Sequence, residues 1–231
     1  MLIAGFPAGP FGTNCWILAS GARSEAVIVD PGMDSRRGIE QVVAEHGLRP
    51  VAVVLTHGHL DHMWSVLPVC DGYDIPAWVH PEDRHLLADP WAGVSAETRL
   101  MFASVVGATD FAEPAEVREL ADGALLEIAG LRLVADHAPG HTPGSTAFRM
   151  MDTGAEPLML SGDLLFAGSI GRTDLPGGDP AAMDASLARV VLGQPDDMVV
   201  LPGHGETTTI GRERRINPFL QGLTPPGRAG S

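Results

Sequence analysis

With 231 residues, 45% hydrophobic and 19% charged, the chain has an ordinary globular composition and enough length to bury a sizeable core. Its formal net charge of −14 argues against a nucleic-acid partner or an anionic membrane surface, since both select basic faces. Every basic residue is arginine, which excludes Schiff-base lysine chemistry.

The amino terminus is apolar, but Pro7, Pro10 and Asn14 interrupt it and no basic region precedes it, a poor match to a signal peptide. Residues 1–6, 13–19 and 25–30 predict short strands joined by Gly- and Pro-rich turns. Residues 35–46 have helical spacing, with Ile39, Val42 and Val43 on one face and Gly47 as a stop. The apolar run 51–55 predicts a buried strand, and a helix is expected from about Asp61 to Pro68. Residues 77–80 predict a strand, and Pro81 opens a helix reaching about Ala88. Residues 89–116 hold Trp91, Met101 and Phe102 without strand period, the pattern of a lid or substrate wall. Strands follow near 117–120, 124–128, 131–136, 145–150 and 157–161, then a helix near 180–192, a strand at 198–201 and a helix over 206–215. Two strand-rich halves with helices outside predict two face-to-face sheets in one domain over 1–220. The Pro- and Gly-rich tail 221–231 is expected to be disordered. No apolar run approaches the ~18 residues of a membrane span, and two isolated cysteines, Cys15 and Cys70, read as buried free thiols. A cytoplasmic, reducing setting fits best.

The chemistry concentrates where strands end. Thr56-His57-Gly58-His59-Leu60-Asp61-His62 puts four metal-capable side chains directly after the strand 51–55, the edge where open α/β sheets carry their sites. Three further segments place a polar donor among turn residues: Pro139-Gly140-His141-Thr142-Pro143-Gly144, Leu160-Ser161-Gly162-Asp163 and Pro202-Gly203-His204-Gly205. Glycine lets the backbone turn sharply, so each side chain can point at a shared centre. A lone histidine in a turn, or an aspartate after a strand, is ordinarily a cap. Four such features together point to a metal site. His46, His80, His85 and His137 lack this context and read as structural or surface residues.

The set His57, His59, Asp61, His62, His141, Asp163 and His204 resembles the metal signature of the metallo-β-lactamase superfamily. The segments Gly168-Ser169-Ile170-Gly171-Arg172-Thr173-Asp174, Pro202-Gly203-His204-Gly205-Glu206 and Asn217-Pro218-Phe219-Leu220 are similar to those of short, glyoxalase II-like hydrolases. The resemblance implies an α/β fold, a four-layer αββα sandwich with the site at one sheet edge. It implies one divalent metal on His57, His59 and His141, a second on Asp61, His62 and His204, and Asp163 bridging them. Zinc is the first expectation, with iron or manganese as alternatives for His and Asp donors. The implied reaction is hydrolysis of a small-molecule thioester by solvent activated between the metals, with Asp61 holding it in line. The same resemblance makes Asp30 a carboxylate that orients a ligating histidine, while its sequence context alone suits a turn before Gly32. Arg172 and Asp174 are expected to pair and anchor the loop after Asp163, with substrate contact by Arg172 the alternative. The thiol is left open among glutathione, another low-molecular-weight thiol and coenzyme A. A mononuclear iron persulfide dioxygenase, using residues that match His57, His141 and Asp163, competes with this reading, as does a non-catalytic metal-binding module. A β-lactamase and a nucleic-acid phosphodiesterase are disfavoured.

Overall fold

Strands that bury every residue need cover on both faces, and this chain supplies it. The computed structural model describes residues 1–100, 111–150, 154 and 157–225. The first half runs β1 (Leu2–Ala8), β2 (Thr13–Ala19), β3 (Glu25–Val29), α1 (Ser35–His46), β4 (Arg49–Val54), α2 (Leu60–Met63), α3 (Val66–Tyr73), β5 (Ala77–Val79), α4 (Pro81–Arg84) and β6 (Val117–Glu119). The second runs β7 (Leu125–Ile128), β8 (Leu131–His137), β9 (Thr146–Met150), β10 (Leu158–Gly162), α5 (Pro180–Ser186), β11 (Val199–Pro202), β12 (Thr208–Thr209) and α6 (Ile210–Ile216). The strands form two sheets, in the orders β1-β2-β3-β4-β5-β6 and β12-β11-β10-β9-β8-β7.

The two-residue alternation of side chains divides each central strand between two cores. Leu18, Val27, Val29 and Val54 face inward and meet Leu133, Phe148, Leu160 and Leu201 of the other sheet. Their alternates Ile17, Ile28 and Val53 face outward and pack under Ile39 of α1, Leu60 and Met63 of α2, and Val66 and Val69 of α3. On the far side Ala147, Met159 and Val200 pack under Met183 of α5, Leu187, Val190 and Ile210 of α6. The result is four layers, helix–sheet–sheet–helix, as the sequence predicts. Phe148, wholly buried in the middle layer, is a side chain of the kind whose truncation costs about 3–5 kcal/mol.

Several expected elements are cut shorter, each for a visible reason. The helix predicted over 61–68 breaks at Trp64-Ser65. Ser65 is diverted to the loop after β3, its N–H donating to the Pro31 carbonyl at 2.9 Å and its Oγ to the Gly32 carbonyl at 2.7 Å. The helix predicted from 206 starts only at Ile210, because Thr208 and Thr209 pair with Val200 and Val199 before Thr209 caps it. The helices predicted over 81–88 and 180–192 tighten to a 3-10 turn (His85–Leu87) and widen to a π turn (Leu187–Val191) in their second halves. Of the tail, Leu223 packs on the outer core of the second sheet, and residues 226–231 lie outside the described residues. Both cysteines are buried free thiols. Among the described residues no helix is long and apolar enough to cross a membrane.

Parallel pairing places the site. β3 with β4, and β10 with β11, run parallel, so the polar residues following them emerge at the carboxyl edge of each sheet. The sheets are stitched at that edge: Thr146 N–H donates to the Thr56 carbonyl at 2.7 Å, and Asn14 N–H to the Gly203 carbonyl at 2.7 Å.

Candidate metal centre

All seven sequence-predicted donors meet at this edge. His57 and His59 follow β4, α2 presents Asp61 and His62, His141 lies in the β8–β9 turn, and Asp163 and His204 follow β10 and β11. The imidazole rings crowd together, with centroids 4.1 Å apart for His57–His62, 4.5 Å for His59–His141, 4.7 Å for His57–His141 and 5.1 Å for His62–His204. Asp163 sits between two groups: its Oδ1 is 3.3 Å from His62 Nε2, and its Oδ2 is 3.4 Å from His141 Nε2 and 3.7 Å from His204 Nε2. Asp61 Oδ2 lies 3.1 Å from His204 Nε2 and 3.5 Å from His62 Nε2.

Hydrogen bonds on the outer side fix how each ring faces inward. His62 Nδ1 donates to Asp30 Oδ2 at 3.0 Å, and His57 Nδ1 donates to Thr56 Oγ1 at 3.0 Å, which passes its own proton to Asp30 Oδ2 at 2.6 Å. His141 Nδ1 donates to the Arg172 carbonyl at 2.7 Å, and His204 Nδ1 to the Phe11 carbonyl at 3.2 Å. Four rings therefore turn Nε2 towards the centre. His59 is reversed, its Nδ1 lying 2.8 Å from His141 Nε2. Asp30 thus holds His62 and the Thr56–His57 corner together, and it does so at φ 49°, a conformation that costs a non-glycine residue about 1–3 kcal/mol. Thr13, Phe11 and the Arg172 carbonyl were not visible in the sequence. Thr13 Oγ1 donates to Asp61 Oδ2 at 2.8 Å, and the other two orient His204 and His141 through their carbonyl oxygens.

The donor set fits divalent cations. His57 Nε2 and Asp163 Oδ1 are buried without a hydrogen-bond partner among the described residues. The nitrogens of His62 and His204 stand 3.2 Å apart; two nitrogens on one tetrahedral zinc stand about 3.3 Å apart at the usual Zn–N distance of about 2.05 Å. Donor atoms of His57, His59 and His141, of Asp61, His62 and His204, and of His57, His62 and Asp163 each lie within 4.8 Å of one another. Burial holds His57 well below the ordinary imidazole range, helped by its charged neighbours, and takes His59 down to about 3, helped by His141. Burial opposes the proton on His62 as well, but Asp163 and Asp61 hold it well above the ordinary value, and His204 is raised by its bond to Asp61. Burial would raise the Asp61 and Asp163 carboxyls, yet His62 keeps both below the usual range. His57 and His59 are therefore ready to donate lone pairs, whereas His62 and His204 must exchange protons for a cation.

The centre opens into a cleft of about 420 Å³ lined by Phe11, Leu60, Val94, Thr98, Phe166, Ile170, Arg172 and Leu175. Arg172 and Asp174 pair through two hydrogen bonds of 2.6 and 2.7 Å on the exposed loop after Asp163. Trp91 packs against the helix-covered core and stands edge-on to Phe111; Val94 and Thr98, from the same segment, form the cleft wall. Met101 and Phe102 lie outside the described residues. A fourth donor group, His80, Glu82 and His137, has atoms within 4.8 Å of one another. Its two rings lie face to face at 3.9 Å and 7°, and His80 Nδ1 accepts from the Glu82 N–H at 3.4 Å. His137 Nε2 donates to the Pro143 carbonyl at 2.7 Å, so this stack braces the loop that carries His141.

Residues 8–204 match the sequence profile of the metallo-beta-lactamase superfamily. The chain is 32% identical to the hydroxyacylglutathione hydrolase GloC of Haemophilus influenzae, over 93% of its own length and 95% of that protein's. Among solved structures it resembles the BLEG-1 B3 metallo-beta-lactamase, with a TM-score of 0.83 and 36% identity over 96% of this chain and 100% of that one. It also resembles TTHA1623 in a di-iron-bound form, with a TM-score of 0.76 and 37% identity over 95% of this chain and 100% of that one. The four-layer fold, the donor groups at its sheet edge and these likenesses agree: the chain belongs to the metallo-β-lactamase superfamily.

Proposed function

We propose that this chain hydrolyses small-molecule thioesters with a pair of divalent cations, as glyoxalase II-like members of the superfamily do. His57, His59 and His141 would hold one cation, Asp61, His62 and His204 the other, with Asp163 reaching both. The observation that carries this reading is the separation of the seven donors into two complete groups with Asp163 between them. A mononuclear iron dioxygenase would have no use for the second group, and a non-catalytic module no use for a cleft at its mouth. Zinc is our first assignment, with iron as the alternative in view of the di-iron form of TTHA1623.

Bound cations would supply Lewis acidity and lower the pKa of a water from about 15.7 to about 7. The rest falls to the protein. Asp61 faces the cleft with its carboxylate pinned by Thr13 Oγ1 and His204, so it can accept a hydrogen bond from the attacking solvent and hold it in line with the acyl carbon. The departing thiolate, whose conjugate acid has a pKa of about 8.5, needs no dedicated general acid. Phe11, Phe166, Ile170 and Leu175 give the cleft apolar walls that hold an acyl chain and exclude bulk water.

The test is a panel of acyl thioesters of glutathione, coenzyme A and the neutral thiol N-acetylcysteamine, with metal content measured on the same protein. At least one should turn over with kcat/KM of about 10⁴ M⁻¹s⁻¹ or better. Two-metal protein inert towards all three, or one-iron protein that consumes oxygen with a persulfide, would overturn the proposal. A β-lactam run in parallel addresses the activity named for BLEG-1.

A further inference from the structure

Asp83 is a wholly buried carboxylate on α4 that the chemistry above leaves unused. Gly58 N–H donates to its Oδ2 at 2.8 Å, Thr142 Oγ1 donates to the same oxygen at 2.7 Å, and Gly144 N–H donates to its Oδ1 at 2.8 Å. Gly58 is the residue between His57 and His59, and Thr142 is the residue after His141. One side chain therefore grips the peptide between two candidate ligands and the turn that presents the third.

We propose that Asp83 is the positioning residue for the His57–His59–His141 half of the centre, setting the affinity of that half for its cation. The proposal rests on the reading of these histidines as metal donors. The two loops come from different sheets, one after β4 and one between β8 and β9, and nothing covalent fixes their separation. Asp83 fixes it with charge-assisted hydrogen bonds, which are stronger than neutral ones. The close approach is built in. A Cβ on Gly144 would stand 2.6 Å from Asp83 Cγ, and one on Gly58 would stand 3.0 Å from the Asp83 carbonyl oxygen and 2.8 Å from Leu86. The donors are themselves held: Thr142 N–H donates to Ser145 Oγ at 3.0 Å, and the two hydroxyls are 2.8 Å apart, so the Thr142 proton stays directed at Asp83. The His80–His137 stack supports the same loop from the start of α4. The hydrogen bonds of Asp83 reach none of Asp61, His62 or His204.

A matched control exists in Glu213, also wholly buried and also gripped by three donors: Thr208 Oγ1 at 2.6 Å, Gly168 N–H at 2.7 Å and Asn217 Nδ2 at 3.0 Å. None of those three residues adjoins a candidate ligand. The experiment titrates metal-stripped full-length protein with Zn²⁺ against a chromophoric chelator, with thermal unfolding followed in parallel. Wild type should take two equivalents. Asp83→Asn should keep one at wild-type affinity and bind the other about 10–100-fold more weakly. Glu213→Gln should lose stability yet bind both as wild type does. Should Asp83→Asn fail to fold, Thr142→Val removes one donor and should weaken the same equivalent to a smaller degree. Unchanged binding in the folded Asp83 variant, or in Thr142→Val when the Asp83 variant does not fold, overturns the proposal. Equal losses in the Asp83 and Glu213 variants overturn it too, since they mark a general stability effect. If wild type takes a single equivalent, the two-metal reading fails by itself, and Asp83→Asn must still weaken that one ion for the present proposal to stand.

Discussion

Replacing Asp163 with alanine should abolish thioester hydrolysis and loosen both metals together. Among the described residues, Asp163 is the one carboxylate with ion pairs within 3.7 Å to imidazoles of both donor groups: His141 on one side, His62 and His204 on the other. Removing a ligand from one group alone would leave the second cation in place. Removing Asp163 would take away the one anionic donor placed to serve both groups. Metal-assisted catalysis contributes several kcal/mol, so hydrolysis should fall by about 10³-fold or more. Asp163→Asn keeps the shape and removes the charge. If it behaves as alanine does, charge is the cause; if it retains activity, packing is. Full activity with normal metal content in Asp163→Ala would refute the bridging assignment.

Gly203→Ala should inactivate the protein by adding one methyl group. A Cβ at Gly203 would stand 2.2 Å from Asp163 Oδ1 and 2.7 Å from His62 Cε1. Gly203 cannot move aside, because its N–H donates to the Gly162 carbonyl at 2.9 Å and its carbonyl accepts from Asn14 at 2.7 Å, one tie to each sheet. Asp163 must yield instead. Overpacking of this kind costs about 1–3 kcal/mol of stability, which a domain of this size can survive. Hydrolysis should nevertheless fall about 10²-fold or more, because a displacement near 1 Å in a catalytic group is enough for that. Gly123→Ala is the comparison: Gly123 has φ 74° and open space around it, so its substitution strains the backbone while the added Cβ touches no candidate ligand. That variant should lose about 1 kcal/mol of stability and keep its activity. Activity measurements alongside thermal unfolding separate the two cases, and an active Gly203→Ala would show that the centre is looser than its distances imply.

The layers and the donors were legible in the sequence because both leave a local signature. Residues 25–30 read as a short strand and 51–55 as a buried one, and the structure puts Val27-Ile28-Val29 and Val53-Val54 between two cores. The seven donors are polar residues set among glycines and prolines at strand ends, where nothing else explains the pattern. What escaped the reading acts at long range. Asp83 follows Pro81 and reads as an acidic residue in a first helical turn, yet its partners are 25, 59 and 61 residues away. Phe11 and Arg172 orient His204 and His141 through carbonyl oxygens, which every residue type possesses. The break between α2 and α3 is likewise non-local, since Ser65 is claimed by Pro31 and Gly32. Asp30 was readable in two ways, and its bonds to His62 and Thr56 show it orienting a histidine while it also starts the turn to Gly32.

Anomalous diffraction from crystals of the protein purified with its native metals tests the central claim most directly. The account predicts two peaks, one bounded by His57, His59 and His141, the other by Asp61, His62 and His204, with an Asp163 oxygen beside each. A single peak, or density away from these side chains, would contradict it.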